Sequence, residues 1–480
     1  MENRTTFYIG GEWVTPSSDR VISTTNPSTG EALPTTPEAD EHDIDRAVQA
    51  ARVAFDRRDG WASWDGERRA EVLDRLADEL EARTQDVART VSSQNGMPIA
   101  MSEGLEAGYP VVVLRYYAQL ARTANLTSVR PGAMGGTTEV RRVPIGVVGA
   151  IVPWNYPQVL TSFKIGGALA AGCTVVLKPS PETALVSYLL AEAAEAAGVP
   201  AGVLNIVPGG REAGASLVAH PGVDKIAFTG STPAGRAIGE TCGRLLKPVT
   251  LELGGKSAGI ILDDADLSPQ SIAEELVKAT LVNNGQTCFA STRILAPRSR
   301  YEEVVQLVTG LASSLPVGNA LDPQTVIGPM ATEAQRDRVE GYIAKGKAEG
   351  FRITTGGGRP EGLDAGWFVE PTVFADVDND SVIAQEEIFG PVLVVIAYED
   401  DDDAVRIAND SDFGLAGTVW SQDEERALGI ARRIHTGTVG INRYQPDPGA
   451  PFGGWKASGM GSELGPEGMD AYLRIQSVYR

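Results

Sequence analysis

Cysteine and histidine are scarce in this 480-residue chain, with three of each. Cys173, Cys242 and Cys288 are too few and too widely spaced for a disulfide framework or a zinc site, so no bound metal is expected and a reducing cytoplasm is the simplest setting. His42, His220 and His435 lie in no motif that pairs an imidazole with a thiol, which disfavours a cysteine hydrolase. Long apolar runs are also missing. GGALAAGCTVVL (166–177) stops short of a membrane span, and MENRTTFYIGGEW has no basic end followed by an apolar stretch, so neither a span nor a signal peptide is expected. Positive charge is in deficit, 42 basic residues against 63 acidic, for a net −21. Such a surface repels phosphate backbones and anionic lipid, so neither a nucleic acid nor a membrane is an expected partner. The acidic run Glu399 to Asp403 lacks EF-hand spacing and reads as a solvated face.

What is present is the composition of a globular enzyme, with 54 glycines, 42 % hydrophobic residues and enough length for two or three domains. Between about 145 and 255, short apolar runs recur: GVVGAIVP (146–153), TVVLKP (174–179), VLNIVPG (203–209), KIAFTG (225–230) and VTLELGG (249–255). Stretches with helical patterning separate them, such as the alanine-rich ETALVSYLLAEAAEAAG (182–198) with its closing glycine. Strands joined by helix-length connections pair in parallel, and their continuous apolar character predicts burial on both faces. This is a doubly wound α/β unit, whose ligands bind beyond the carboxyl ends of its strands. Residues 42–122 pattern as helices. Residues 123–143 alternate around Pro-Gly and Gly-Gly turns and predict an excursion of extended strands. A second α/β stretch runs from about 254 to the mid-440s, with helical EEVVQLVTGLASSL (302–315) and strand-like PVLVVIAY (391–398).

Three elements fall where such a fold places its site. IAFTGSTPAGRAIGE (226–240) is a strand, a glycine turn and a helix with Thr232 as the expected N-cap and Pro233 in the first turn, so free N–H groups face any anion above the strand. Arg236-Ala237 replace the Lys-Ser/Thr of a P-loop, which excludes nucleoside triphosphate hydrolysis, and GxGxxG is absent. Alone, the turn serves equally well as a structural connection. PWNYP (153–157) and LELGGKS (251–257) each end a strand and bring Asn155 and Glu252 to the same edge. Taken singly, these fit a capping asparagine and a solvated glutamate. The third element is NNGQTCFAST (283–292), which surrounds Cys288 with polar, turn-forming residues, although a cysteine kept for packing sits among aliphatic ones.

PWNYP, VLKPS, FTGSTPAG, LELGGKS, GQTC, EEIFGP and PFGGWKASG occur in the order and approximate spacing of the aldehyde dehydrogenase superfamily, and YIGGEWV and NPSTGEA resemble its opening. The chain resembles that family from end to end. The resemblance implies a Rossmann-like cofactor domain (1–122 and 144–253), a second α/β catalytic domain (254–445), and a small β oligomerisation element (123–143) with the C-terminal segment 446–480. It implies oxidation of an aldehyde to its acid, with Cys288 as nucleophile, Asn155 as oxyanion donor, Glu252 as the base that activates water, and Lys164 near the active site. For the cofactor it implies Lys178 and Glu387 on the two riboses, Phe389 and Trp154 near the nicotinamide, and Gly230 and Ser231 at the pyrophosphate. NAD is expected. NADP is the alternative left open by Pro181, which stands where NAD-preferring members carry a glutamate, here one residue later at Glu182.

By similarity, Tyr156, Val159, Leu160, Phe163, Thr287, Phe289, Tyr444 and Phe452 line the substrate entry. That set favours an apolar or aromatic aldehyde over a carboxylated one, with Arg443 and Asp447 the only nearby candidates for recognising a polar group. RIQSVYR (474–480) predicts a strand which, with 123–143, resembles the family's oligomerisation element, so a homodimer or homotetramer is expected. The competing readings are a CoA-acylating relative, against which Glu252 speaks, and a non-catalytic member of the fold.

Overall fold

The computed structural model describes residues 2–480. Two parallel-stranded sheets and one small antiparallel sheet organise it. In the first sheet the order is Glu12–Val14, Phe7–Ile9, Leu204–Ile206, Thr174–Lys178, Val147–Ile151, Lys225–Thr229, Val249–Glu252, Gly459–Met460. The five strands from Leu204–Ile206 to Val249–Glu252 are parallel. Thr174–Lys178, Val147–Ile151 and Lys225–Thr229 are buried throughout, as their unbroken apolar sequences require when helices cover both faces.

The chain leaves Val147–Ile151 toward Thr174–Lys178 on one side and returns to pair Lys225–Thr229 on the other. That reversal makes the carboxyl end of Val147–Ile151 the topological switch point, where the diverging connections open a crevice. Trp154 and Asn155 emerge there. The helix that follows, Pro157–Ala171, is buried along its whole length. Gly166 and Gly167 allow its close packing, since a Cβ at Gly166 would lie 2.5 Å from the Tyr117 ring and one at Gly167 3.0 Å from the ring of Tyr472.

The second sheet has the order Arg352–Thr355, Thr372–Ala375, Val392–Tyr398, Arg293–Pro297, Ala258–Ile261, Gly417–Trp420, Gly440–Ile441. It is parallel except at the Arg352–Thr355 edge. The third sheet comprises Thr127–Pro131, Thr137–Pro144 and Leu473–Tyr479, all antiparallel. Its outer strands have unpaired edges, and Val129, Ile475 and Tyr479 are exposed. Of the segment 446–480, only Leu473–Tyr479 joins this sheet. Gly459–Met460 extends the first sheet beside Val249–Glu252, and Trp455–Lys456 pairs with Phe413–Gly414. The glycines that let these short pieces turn carry no periodic pattern, which is why the sequence reading grouped them with the terminal strand.

Among the described residues, no helix is long and apolar enough to cross a membrane, and no cluster of three His, Cys, Asp or Glu is suited to a metal ion. The acidic run 399–403 opens the helix Asp401–Asn409, with Asp400 as N-cap, and its carboxylates pair with Arg298, Arg406, Arg426 and Arg433.

Candidate active site

Cys288 follows a turn in which Asn283, Asn284 and Gly285 have φ of 50°, 59° and 74°. Three successive left-handed residues are costly for most side chains, and asparagine and glycine tolerate them best. The polar neighbours are buried and hold this turn. Asn284 donates to the carbonyls of Gly96 at 2.9 Å and Pro329 at 3.0 Å, and accepts from Gly328 N–H at 2.6 Å. Asn283 donates to the Asn155 carbonyl at 3.0 Å, Gln286 accepts from Ala331 N–H at 2.9 Å, and Thr287 donates to the Val282 carbonyl at 3.0 Å. Gly285 admits no side chain, for a Cβ there would sit 2.2 Å from the Gly390 carbonyl oxygen. The surroundings of the cysteine are thus a clamp that fixes where its sulfur points.

Asn155 is buried beside it. One of its amide hydrogens goes to the Gln286 carbonyl, two residues before Cys288, at 3.1 Å, leaving the other free for a further acceptor. Burial, then the charges of Glu387 and Glu252, push the Cys288 thiol up to about 12. Glu252 ends the strand Val249–Glu252, is 2 % exposed, and neither carboxylate oxygen has a hydrogen-bond partner. Burial foremost, and then the charge of Glu463, raise it well above the carboxylate range, with Lys164 opposing. A carboxyl displaced upward is a stronger base than an ordinary carboxylate, which suits it to accept a proton.

Behind Glu252 lies a buried pair that sequence reading saw only in half. Lys164 donates to Glu463 Oε1 at 2.7 Å and to Thr229 Oγ1 at 2.5 Å, and both charged side chains are fully enclosed. Lys164 was expected near the site. Glu463 was missed, because SELGPEG looks like surface sequence and its partner lies 299 residues away. The other Glu463 oxygen has no partner and adds to the negative potential around Glu252.

Along the switch-point crevice, Lys178 ends the strand Thr174–Lys178 and donates to the carbonyls of Gly209 at 2.6 Å and Pro179 at 3.0 Å. Burial lowers it to about 8, opposed by Glu182 and Glu38. Its third hydrogen can meet a ligand hydroxyl. Pro181 starts a short 3-10 turn, and the Ser180 hydroxyl bonds the Glu182 carboxylate. Gly230 follows Lys225–Thr229, and Ser231, not the expected Thr232, is the N-cap of Thr232–Leu245, its Oγ accepting from Ala234 N–H at 3.4 Å. Ser231 has extended backbone angles, so the helix starts one residue earlier than the Thr-Pro pair suggested. Trp154 and Phe389 meet edge to face with centroids 5.5 Å apart, and Phe389 has φ 65°. Glu387 accepts from Gly255 N–H at 2.9 Å, next to Cys288, since a Cβ on Gly255 would lie 2.2 Å from the Cys288 carbonyl oxygen. A buried cation, a carboxylate, a capped helix N-terminus and an aromatic pair, strung along one crevice, fit a dinucleotide.

The predicted entry side chains converge. Tyr156 and Thr287 share a hydrogen bond of 2.7 Å, Phe163 and Phe452 meet at 6.3 Å between centroids, and Phe289 stacks on Tyr444 at 4.7 Å. Val159 and Leu160 belong to the same buried cluster, against which Cys288 packs. Arg443 and Asp447 are exposed, and Asp447 accepts from Gly449 N–H of its own loop at 2.8 Å. Neither side chain belongs to the apolar wall. Tyr109 packs on Phe163 from the helical segment before residue 123, a contact without sequence signal.

The aldehyde dehydrogenase family pattern matches residues 13–478. Geranial dehydrogenase of Castellaniella defragrans is 57 % identical over 472 residues, 98 % of each chain. The crystal structure of a Mycobacterium tuberculosis aldehyde dehydrogenase complexed with NAD+ superposes with a TM-score of 0.97 at 48 % identity, covering 100 % of this chain and 99 % of that one. A Pseudomonas syringae aldehyde dehydrogenase variant, solved with NAD+ and octanal, gives 0.95 at 40 % identity, covering 99 % and 96 %.

Proposed function

Because this chain belongs to the aldehyde dehydrogenase family, and is an NAD-dependent oxidoreductase that converts an aldehyde to its acid, we propose that its substrate is an apolar aldehyde of medium length, open-chain terpenoid enals included. The observation that carries this is the entry wall: Tyr156, Phe163, Phe289, Tyr444 and Phe452 are aromatic, and Arg443 and Asp447 are exposed residues outside it. The relatives named for geranial and solved with octanal support the same class.

In this reading the Cys288 sulfur adds to the aldehyde carbonyl while its proton passes to Glu252. The free Asn155 N–H and the Cys288 backbone N–H hold the resulting oxyanion, each donor being worth about 3 kcal/mol of barrier. NAD supplies the hydride acceptor, and Lys178, Glu387, Ser231 and the Trp154–Phe389 pair position it. Loss of hydride leaves a thioester on Cys288. Once that proton has left Glu252 for bulk solvent, the carboxylate takes a proton from water, the hydroxyl adds to the thioester carbon, and the sulfur departs as thiolate while the acid forms. Burial and the charge of Glu463 keep the Glu252 carboxyl basic, with Lys164 opposing. Water as acyl acceptor is favoured over a thiol because Glu252 is free of any partner that would blunt it as a base.

NAD is preferred over NADP in this reading because the carboxylates of Glu182 and Glu38 both face Lys178, doing from other positions what Pro181 does not. The open edges of the third sheet support a homo-oligomer in which neighbouring subunits cover them. Initial rates for geranial, octanal, phenylacetaldehyde and succinic semialdehyde with NAD and NADP test the assignment. The expected order places geranial and octanal first in kcat/KM with NAD, and a preference for the semialdehyde would refute it.

A further inference from the structure

The helix Tyr109–Thr123 is entered through a π turn, Glu103–Gly108, whose extra residue per turn re-aims the side chains around it. Two of them reach the site's surroundings. Glu106, 1 % exposed, accepts the Gln158 N–H at 2.7 Å and so caps the helix that carries Val159, Phe163 and Lys164. Tyr109 packs edge to face on Phe163, centroids 6.1 Å apart, and its hydroxyl donates to the Pro446 carbonyl at 2.9 Å.

Pro446 belongs to the irregular segment 442–451, which carries Tyr444 onto Phe289, the residue after the nucleophile. Asn442 is bonded to Val419 and Ser421, and beyond it three side-chain or backbone ties hold the segment. Tyr444 shares a hydrogen bond with Thr438 at 2.6 Å, Pro448 accepts from Gly465 N–H at 2.9 Å, and Pro446 accepts from Tyr109. The first two tie the segment to neighbouring parts of the same C-terminal region. Tyr109 alone among the three comes from the N-terminal helices, so it joins the irregular side of the entry to the aromatic wall around Phe163.

We propose that Tyr109 is a specificity-determining positioning residue: its hydroxyl latches segment 442–451 at Pro446, and so pre-forms the outer part of the entry that longer aldehydes contact. This rests on the apolar-aldehyde reading above. A short aldehyde reaches Cys288 without touching the outer wall. A long one uses it, and gains only if the wall is already in place.

The test is Tyr109→Phe in the full-length enzyme, which keeps the ring on Phe163 and removes only the latch. Amide hydrogen exchange over 445–450 is expected to accelerate by about fivefold, the factor carried by one net hydrogen bond. The ratio of kcat/KM for decanal to that for propanal is expected to fall by a similar factor, with the loss in KM for decanal and not in kcat. Unchanged exchange overturns the latch. Faster exchange with an unchanged ratio, or equal losses for both aldehydes, overturns its role in specificity. Should the wild-type enzyme show no preference for decanal, the substrate reading fails, and the exchange data still decide the latch.

Discussion

Glu252→Gln separates the base from everything else in the site. Glutamine matches the carboxyl in shape, and Glu252 has no hydrogen bond to lose, so packing at this 2 % exposed position is preserved. Hydride transfer should still occur once per site, slowed because the thiol must lose its proton to solvent, after which the thioester waits for unassisted water. General-base assistance is worth about 10²–10⁴ in rate, so steady-state turnover should fall by roughly a hundredfold or more. In stopped flow at saturating aldehyde and NAD, the variant should show a burst of one NADH per competent site followed by a slow phase, and hydroxylamine should accelerate that slow phase by attacking the thioester directly. Stability supplies a second readout. The folded-state pKa of Glu252 lies above its unfolded value, so the native state binds the extra proton between the two and wild-type stability falls as pH rises through that window. Each unit of elevation is about 1.4 kcal/mol. The variant should therefore match wild type in thermal unfolding near pH 4 and exceed it at pH 9. A steady-state rate within threefold of wild type, with no burst, would refute Glu252 as the hydrolytic base.

Cys288, pushed up to about 12, is a thiol at neutral pH before ligands bind, so its alkylation by iodoacetamide without nucleotide should rise about tenfold per pH unit from 7 to 10. A plateau near pH 8 would contradict the environment described. Truncation after Tyr472 removes the strand Leu473–Tyr479 and leaves Thr137–Pro144 with a bare edge, so light scattering should report a smaller or heterogeneous assembly. An unchanged mass would place the subunit contacts elsewhere.

The parallel strands were legible because burial on both faces leaves a continuous apolar run, and Asn155 and Glu252 because the fold rule puts strand ends at the site, whereas Lys178 and Gly230 were named only through the family resemblance. Cys288 stood out by the mismatch between a thiol and its polar neighbours. Legibility failed where a residue's role depends on a partner far along the chain. Glu463 acquires meaning only beside Lys164, and Tyr109 only beside Pro446, 337 residues away. The partition of 446–480 among three sheets was hidden for a related reason, since two-residue strands have no periodicity to detect.

The left-handed turn at 283–285 is held by the carbonyl of Gly96, by Gly328, Pro329 and Ala331, and by the close approach of Gly390. These anchors are scattered over some three hundred residues. A nascent chain emerging from the ribosome carries Cys288 long before it carries Gly390, and during that interval nothing aims the sulfur. Chemical competence is therefore deferred until both halves of the polypeptide have been synthesised and have docked.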